Sequence, residues 1–232
     1  MNNSQMIEQE KSVLRWGGIS GIVGGILFIL TMAFVALAIG DGPADLQEIV
    51  ARFPEIHMLR VIENSVYLVA LLFEIPLFLS LFWALRKQNL APALFGSAIS
   101  IVGLVSMIIS STPHVAHHPL SEIFQEAGTT PEAQEIIAII WQGTWGMFDA
   151  PLYVGFFVVP IGIILIGMAM FGASNFSKGL AWISVVVGGV AFVASIFQMV
   201  DPASDVGALS YLLPIIFYFV VGMKLSRLSK AA

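Results

Sequence analysis

With 58% hydrophobic and 11% charged residues in 232, and a mean hydropathy of +0.91, this chain is far more apolar than a soluble domain, in which charged residues make up about 25%. Spans of roughly 20 to 25 residues use up most of its length and leave no room for a separate soluble domain. The net charge of −5 is no guide to a partner because its acids lie in alternate loops, nucleic-acid binding has no support, and the absence of cysteine excludes disulfides, thiolate metal ligands and dithiol redox chemistry.

The charges are sorted by loop. Lys11 and Arg15 precede the first apolar segment, Arg86 and Lys87 follow the second, Lys178 follows the fourth, and Lys224, Arg227 and Lys230 follow the sixth. Only Arg52 and Arg60 fall elsewhere, while the alternate connections carry Asp41, Asp45, Glu48, Glu55, Glu122, Glu126, Glu132, Glu135, Asp201 and Asp205. Cytoplasmic loops are enriched in Lys and Arg, so the pattern predicts an all-α, six-helix integral membrane bundle with both termini cytoplasmic. Residues 1–232 form one transmembrane domain, with spans at about 16–39, 57–85, 90–111, 150–172, 179–200 and 206–223. The expected location is the cell membrane, a bacterial or archaeal plasma membrane, with lipid as the surrounding partner.

In the first segment Gly17, Gly21 and Gly25 recur every four residues, a smooth stripe for close helix packing. Ala36-Leu37-Ala38 has the small-x-small pattern of a signal-peptide site. The apolar stretch is nevertheless longer than an h-region of about 7 to 15 residues, so it is read as a retained span; cleavage would leave five spans. Asp41, Gly42 and Pro43 predict a turn, followed by a short amphipathic surface helix over 44–53 that Pro54 ends. The second segment carries Arg60, Glu63, Asn64 and Glu74, and the third is rich in small residues.

Residues 112–135 form the longest polar stretch, with His114, His117 and His118 among prolines. The apolar run 136–172 that follows would make about 55 Å of helix, too long for one span. Pro151 is the expected break, with 136–148 an interfacial or re-entrant piece anchored by Trp141 and Trp145. Two further spans follow, the last with Pro214 near its middle. Three spans followed by three would permit an inverted repeat, but the halves share no matched residues.

Glu63 and Glu74 are eleven residues apart, close to three helical turns, so both share a face with Arg60 and Tyr67. Glu74 falls near the bilayer midplane, where an ionised carboxylate costs at least ~2.5 kcal/mol, and is a candidate for proton or substrate handling. The bland alternative is a neutral carboxyl serving as interhelical glue. Asp149, beside Pro151, reads as an N-cap of the membrane span or as a ligand contact. Gln142, Gln198 and Asp201 lie at a similar level, and Arg60 is spaced to pair with Glu63. If the third helix continues past Pro113, His114, His117 and His118 share one face at metal-ligand spacing, and a carboxylate from Glu63, Asp149 or Asp201 would complete a zinc site.

The stretch 57–88, HMLRVIENSVYLVALLFEIPLFLSLFWALRKQ, resembles the six-span bacterial membrane family catalogued as a domain of unknown function, DUF4386: an outer loop, a span with a central acid, then a basic turn. The spacing of the remaining spans is similar, so the likeness covers most of the chain; it implies the fold and no activity. His114 and His118 share a His-x-x-x-His spacing with ceramidase-like zinc hydrolases, whose other His, Ser and Asp motifs are missing here.

The function expected from these residues is binding or transport of a small molecule or proton through an outward-facing polar pocket. That pocket would involve Glu74, Glu63, Arg60, Tyr67 and Asp149, with no enzyme activity and no cofactor. The alternatives are a zinc-dependent hydrolase of the outer leaflet, using His114, His117 and His118, and an accessory membrane protein without a ligand.

Overall fold

A computed structural model describes residues 3–40, 42–201 and 204–231, and all regular structure among them is helical. Seven α-helices follow one another: α1 (Asn3–Phe34), continued by a π-helical turn (Val35–Ile39), α2 (Leu46–Leu85), α3 (Leu90–Ile109), α4 (Pro113–Gln125), α5 (Pro131–Phe171), α6 (Lys178–Val200) and α7 (Leu209–Ala231). Six helical stretches are long and apolar enough to cross a membrane; α4 continues the third. The turn expected at Asp41 lies outside the described residues at that position.

Helix starts follow local chemistry. The Asp45 carboxylate caps α2 by accepting from the backbone N–H groups of Gln47 and Glu48, at 2.9 and 3.1 Å. Thr130 and Ser177 cap α5 and α6 in the same way. The π-helical turn ends at Gly40, whose φ of 65° suits a residue without Cβ. Arg52, one of the two cations outside the charge pattern, donates from Nη2 to the Ile39 carbonyl at 2.6 Å. A guanidinium at a helix C-terminus satisfies an orphan carbonyl and opposes the negative end of the dipole.

The bundle packs by close approach of small residues, since lipid supplies no hydrophobic drive for apolar helices to associate. Between α3 and α5, Gly96, Ser100 and Gly103 oppose Gly155 and Gly162 so closely that a Cβ on Gly162 would meet the Gly96 carbonyl and the Ser100 hydroxyl. Along α1, Gly17 and Gly24 face α2, Gly18 and Gly25 face α7, and Gly21 meets both. The expected stripe therefore serves two neighbours rather than one.

Two expectations are corrected and one conditional reading is decided. Pro54 does not end a surface helix: α2 runs through both Pro54 and Pro76. Within the polar stretch 112–135, where the path past Pro113 was left open, α3 ends at Ile109 and Pro113 starts the separate helix α4 at a first-turn position where its missing N–H costs nothing. Pro151 does not break 136–172: α5 is one 41-residue helix, about 60 Å long, and Thr130 rather than Asp149 caps it. For Pro54 and Pro151 the reason is lateral support. A proline removes one backbone bond, and packing on both sides of it keeps the helix continuous. N-terminal to Pro54 and Pro151, Val50, Phe53, Phe124, Ala138 and Trp141 form a small apolar core shared by α2, α4 and α5. C-terminal to them, both helices enter the main bundle, and the Ser106 hydroxyl donates to the Pro151 carbonyl at 2.7 Å.

The result is a six-helix bundle with a three-helix cap at one end. Gln125 donates from Nε2 to the Ala51 carbonyl at 2.5 Å and Gln134 to that of Phe124 at 3.0 Å, tying the cap together. At the opposite end Glu10 accepts from Lys87 at 2.9 Å and Arg86 at 3.4 Å, and the Arg86 guanidinium lies over the Trp83 ring at 3.1 Å.

Candidate functional site

The site grows from the junction of cap and bundle, where Pro113 at the start of α4 and Pro214 of α7 are among the lining residues. A cavity of about 610 Å³ lies there, with walls from every α-helix. Its deep part is apolar and aromatic: Phe28 from α1, Met107 from α3, Val159 from α5, and Ile215 and Tyr218 from α7. Tyr67 meets Phe28 edge-on with ring centres 5.7 Å apart, and Phe28 stacks on Tyr218 at 6.1 Å.

Polar groups occupy the cap end. The Arg60 Nη1 donates to Glu63 Oε2 at 3.1 Å, so the second off-pattern cation is paired one turn along its own helix. Asn64, buried, donates from Nδ2 to the Arg60 carbonyl at 2.7 Å. On α6 and α7, the Ser210 hydroxyl donates to Gln198 Oε1 at 2.5 Å. Asp149, half-buried on α5, has no ion-pair partner among the described residues, and the Trp145 indole N–H one turn earlier reaches toward its carboxyl. The Arg60 Nε and the Tyr67 hydroxyl are buried without hydrogen-bond partners. Such groups are costly unless something satisfies them.

Sequence-predicted residues separate into three groups. Arg60, Glu63, Tyr67, Asp149, His114 and His117 all line the cavity, together with Gln198. Glu74 is not in its lining; it is fully buried one step deeper, between α1 and α2, and Tyr218 adjoins both it and Tyr67. Both Glu74 carboxyl oxygens lack hydrogen-bond partners. A charge at such a place would be uncompensated, and burial favours the neutral acid. Gln142 is exposed, and Gln142, Asp201 and His118 lie outside the cavity lining.

The histidines of α4 diverge, since 114, 117 and 118 subtend different neighbours. His117 is fully buried among aromatic rings: it stacks on Trp141 at 4.3 Å and Trp145 at 5.3 Å, with Phe53 edge-on at 5.7 Å. His118 stacks on His57 of α2, ring centres 3.7 Å apart and planes within 4°, and its Nε2 lies 3.5 Å from Glu122. His114 sits 6.3 Å from the His57 ring. Among the described residues no three His, Cys, Asp or Glu side chains are grouped to hold a metal ion.

Several lining residues escaped the sequence reading: Thr31, Phe28, Ser110, Ser210, Tyr211 and Tyr218. The detectable signal was helical spacing on α1, where Gly24, Phe28 and Thr31, four and three residues apart, share one face. For α7 no such signal exists, because Tyr211 and Tyr218 look like ordinary interfacial aromatics. Comparison with protein families, with curated proteins and with solved structures finds no match to this chain.

Proposed function

We propose that this multi-pass membrane protein binds a small molecule in the cavity beneath its cap and opens it to the extracytoplasmic side, as a binding or transport protein rather than an enzyme. The observation that carries this reading is the convergence of Arg60, Glu63, Tyr67, Asp149 and Gln198 on one cavity of about 610 Å³ whose deeper wall is aromatic. That combination of an apolar body and a few polar groups is typical of small-molecule sites. The Lys and Arg bias of the alternate loops supports an orientation with the basic end and both termini in the cytoplasm, which puts the cap and the cavity mouth outside. The buried, partnerless Glu74 beneath the cavity supports proton handling as part of the same cycle.

The absence of cysteine makes the test direct. Single Ser110→Cys and Gln198→Cys proteins in intact cells should react with a membrane-impermeant thiol reagent added outside. A thiol placed at Val102, on the exposed face of α3, should stay unreactive to it. Absence of labelling at both cavity positions, or labelling only after the cytoplasmic side is opened, would refute an outward-facing cavity.

A further inference from the structure

We infer that the molecule taken by this cavity is an amphipathic organic cation, an amine or quaternary ammonium carrying an apolar body; this rests on the cavity reading above and names its ligand class. The charged side chains of the lining are the Arg60 guanidinium and the carboxylates of Glu63 and Asp149. Arg60 and Glu63 are 3.1 Å apart and neutralise one another. One guanidinium against two carboxyl groups leaves the Asp149 carboxyl as the uncompensated acid of the cavity, without an ion-pair partner among the described residues.

An anion entering the cavity would meet that carboxylate unopposed, whereas a cation would complete it. Aromatic surroundings favour the same sign. Trp145 and Phe148 lie on α5 within one turn of Asp149, and Tyr211 and Tyr218 come from α7. The face of an aromatic ring attracts a cation, most strongly where water is excluded. The two imidazoles of this wall offer no competing cation: His117 is held within Trp141, Trp145 and Phe53 with neither ring nitrogen partnered, and the His114 Nδ1 is likewise buried without a hydrogen-bond partner, settings that disfavour the positive form. Beyond the carboxylate the wall turns to Phe28, Met107 and Ile215, which suits an apolar body rather than a hydrated metal ion.

The test uses the full chain in liposomes with one thiol at Gln198→Cys. Rates of modification are compared for trimethylammonioethyl and sulfonatoethyl methanethiosulfonate, each divided by its rate with a free thiol in solution. The cationic reagent should react about tenfold faster than the anionic one. Asp149→Asn should abolish the preference and Asp149→Glu should restore it. Benzyltrimethylammonium should protect the thiol from the neutral methyl methanethiosulfonate, and benzyl alcohol and benzenesulfonate should not. Equal rates for the two charged reagents, a preference unchanged in Asp149→Asn, or equal protection by benzyl alcohol would overturn the cation while leaving the cavity standing. Absence of reaction with all three reagents at Gln198→Cys and at Ser110→Cys would instead remove the cavity reading itself.

Discussion

Gly24 of α1 lies directly against the carboxyl of Glu74 on α2, so closely that a methyl group in its place would overlap Glu74 Oε1. The two residues explain one another. A fully buried acid without a hydrogen-bond partner is tolerated because a residue without a side chain gives it room and a neighbouring helix shields it.

It follows that Gly24→Leu should disrupt the α1–α2 contact. Overpacking in a closed interior costs about 1 to 3 kcal/mol, and thermal unfolding in detergent should register it as a clear loss. Glu74→Gln keeps volume and neutrality and should unfold within about 0.5 kcal/mol of the parent, whereas Glu74→Lys should fail to assemble. A Glu74→Gln protein that unfolds as readily as Gly24→Leu would show that the carboxyl bonds to something essential.

His117 should act through packing. Replacing it by Ala empties the space against Trp141 and Trp145 and should destabilise the cap by about 1 to 3 kcal/mol, with a red shift of tryptophan emission as both indoles become wetter. His117→Phe should retain the stacking and most of the stability. If Phe proves as damaging as Ala, the ring nitrogens matter and the packing account is wrong.

Arg52 closes the π-helical turn at the end of α1. Arg52→Ala should cost about 1.5 to 3 kcal/mol by orphaning the Ile39 carbonyl, and hydrogen exchange should rise locally over 35–40. Arg52→Lys should recover part of this, since an ammonium can reach one carbonyl but lacks the planar fork. Protection unchanged in Arg52→Ala would assign the cap to another group.

The orientation has its own check. A thiol at Glu126, on the turn after α4, should be modified from outside the cell, and one at Gln88, beside Arg86 and Lys87, only from the cytoplasmic side. The opposite result would invert the bundle and turn the cavity mouth inward.

Hydropathy and charge along the chain determined the number of spans, their class and the alternation of loops, because each depends on local composition against a fixed membrane thickness. Helical periodicity likewise placed Arg60, Glu63, Tyr67 and Glu74 on one face, since a helix carries its own geometry. Prolines were the point of failure. Pro54 and Pro151 read as breaks when taken one at a time, yet both sit inside continuous helices, and Pro113, past which the sequence left the path open, starts a helix. The cap core of Val50, Phe53, Phe124, Ala138 and Trp141 joins residues that are far apart in the chain, and no local pattern announces it. The same holds for the parting of His117 from His114 and His118, and for the Asp149 carboxylate facing a cavity walled by α7. Periodicity says which residues share a face; only the packing of helices against one another decides what that face meets.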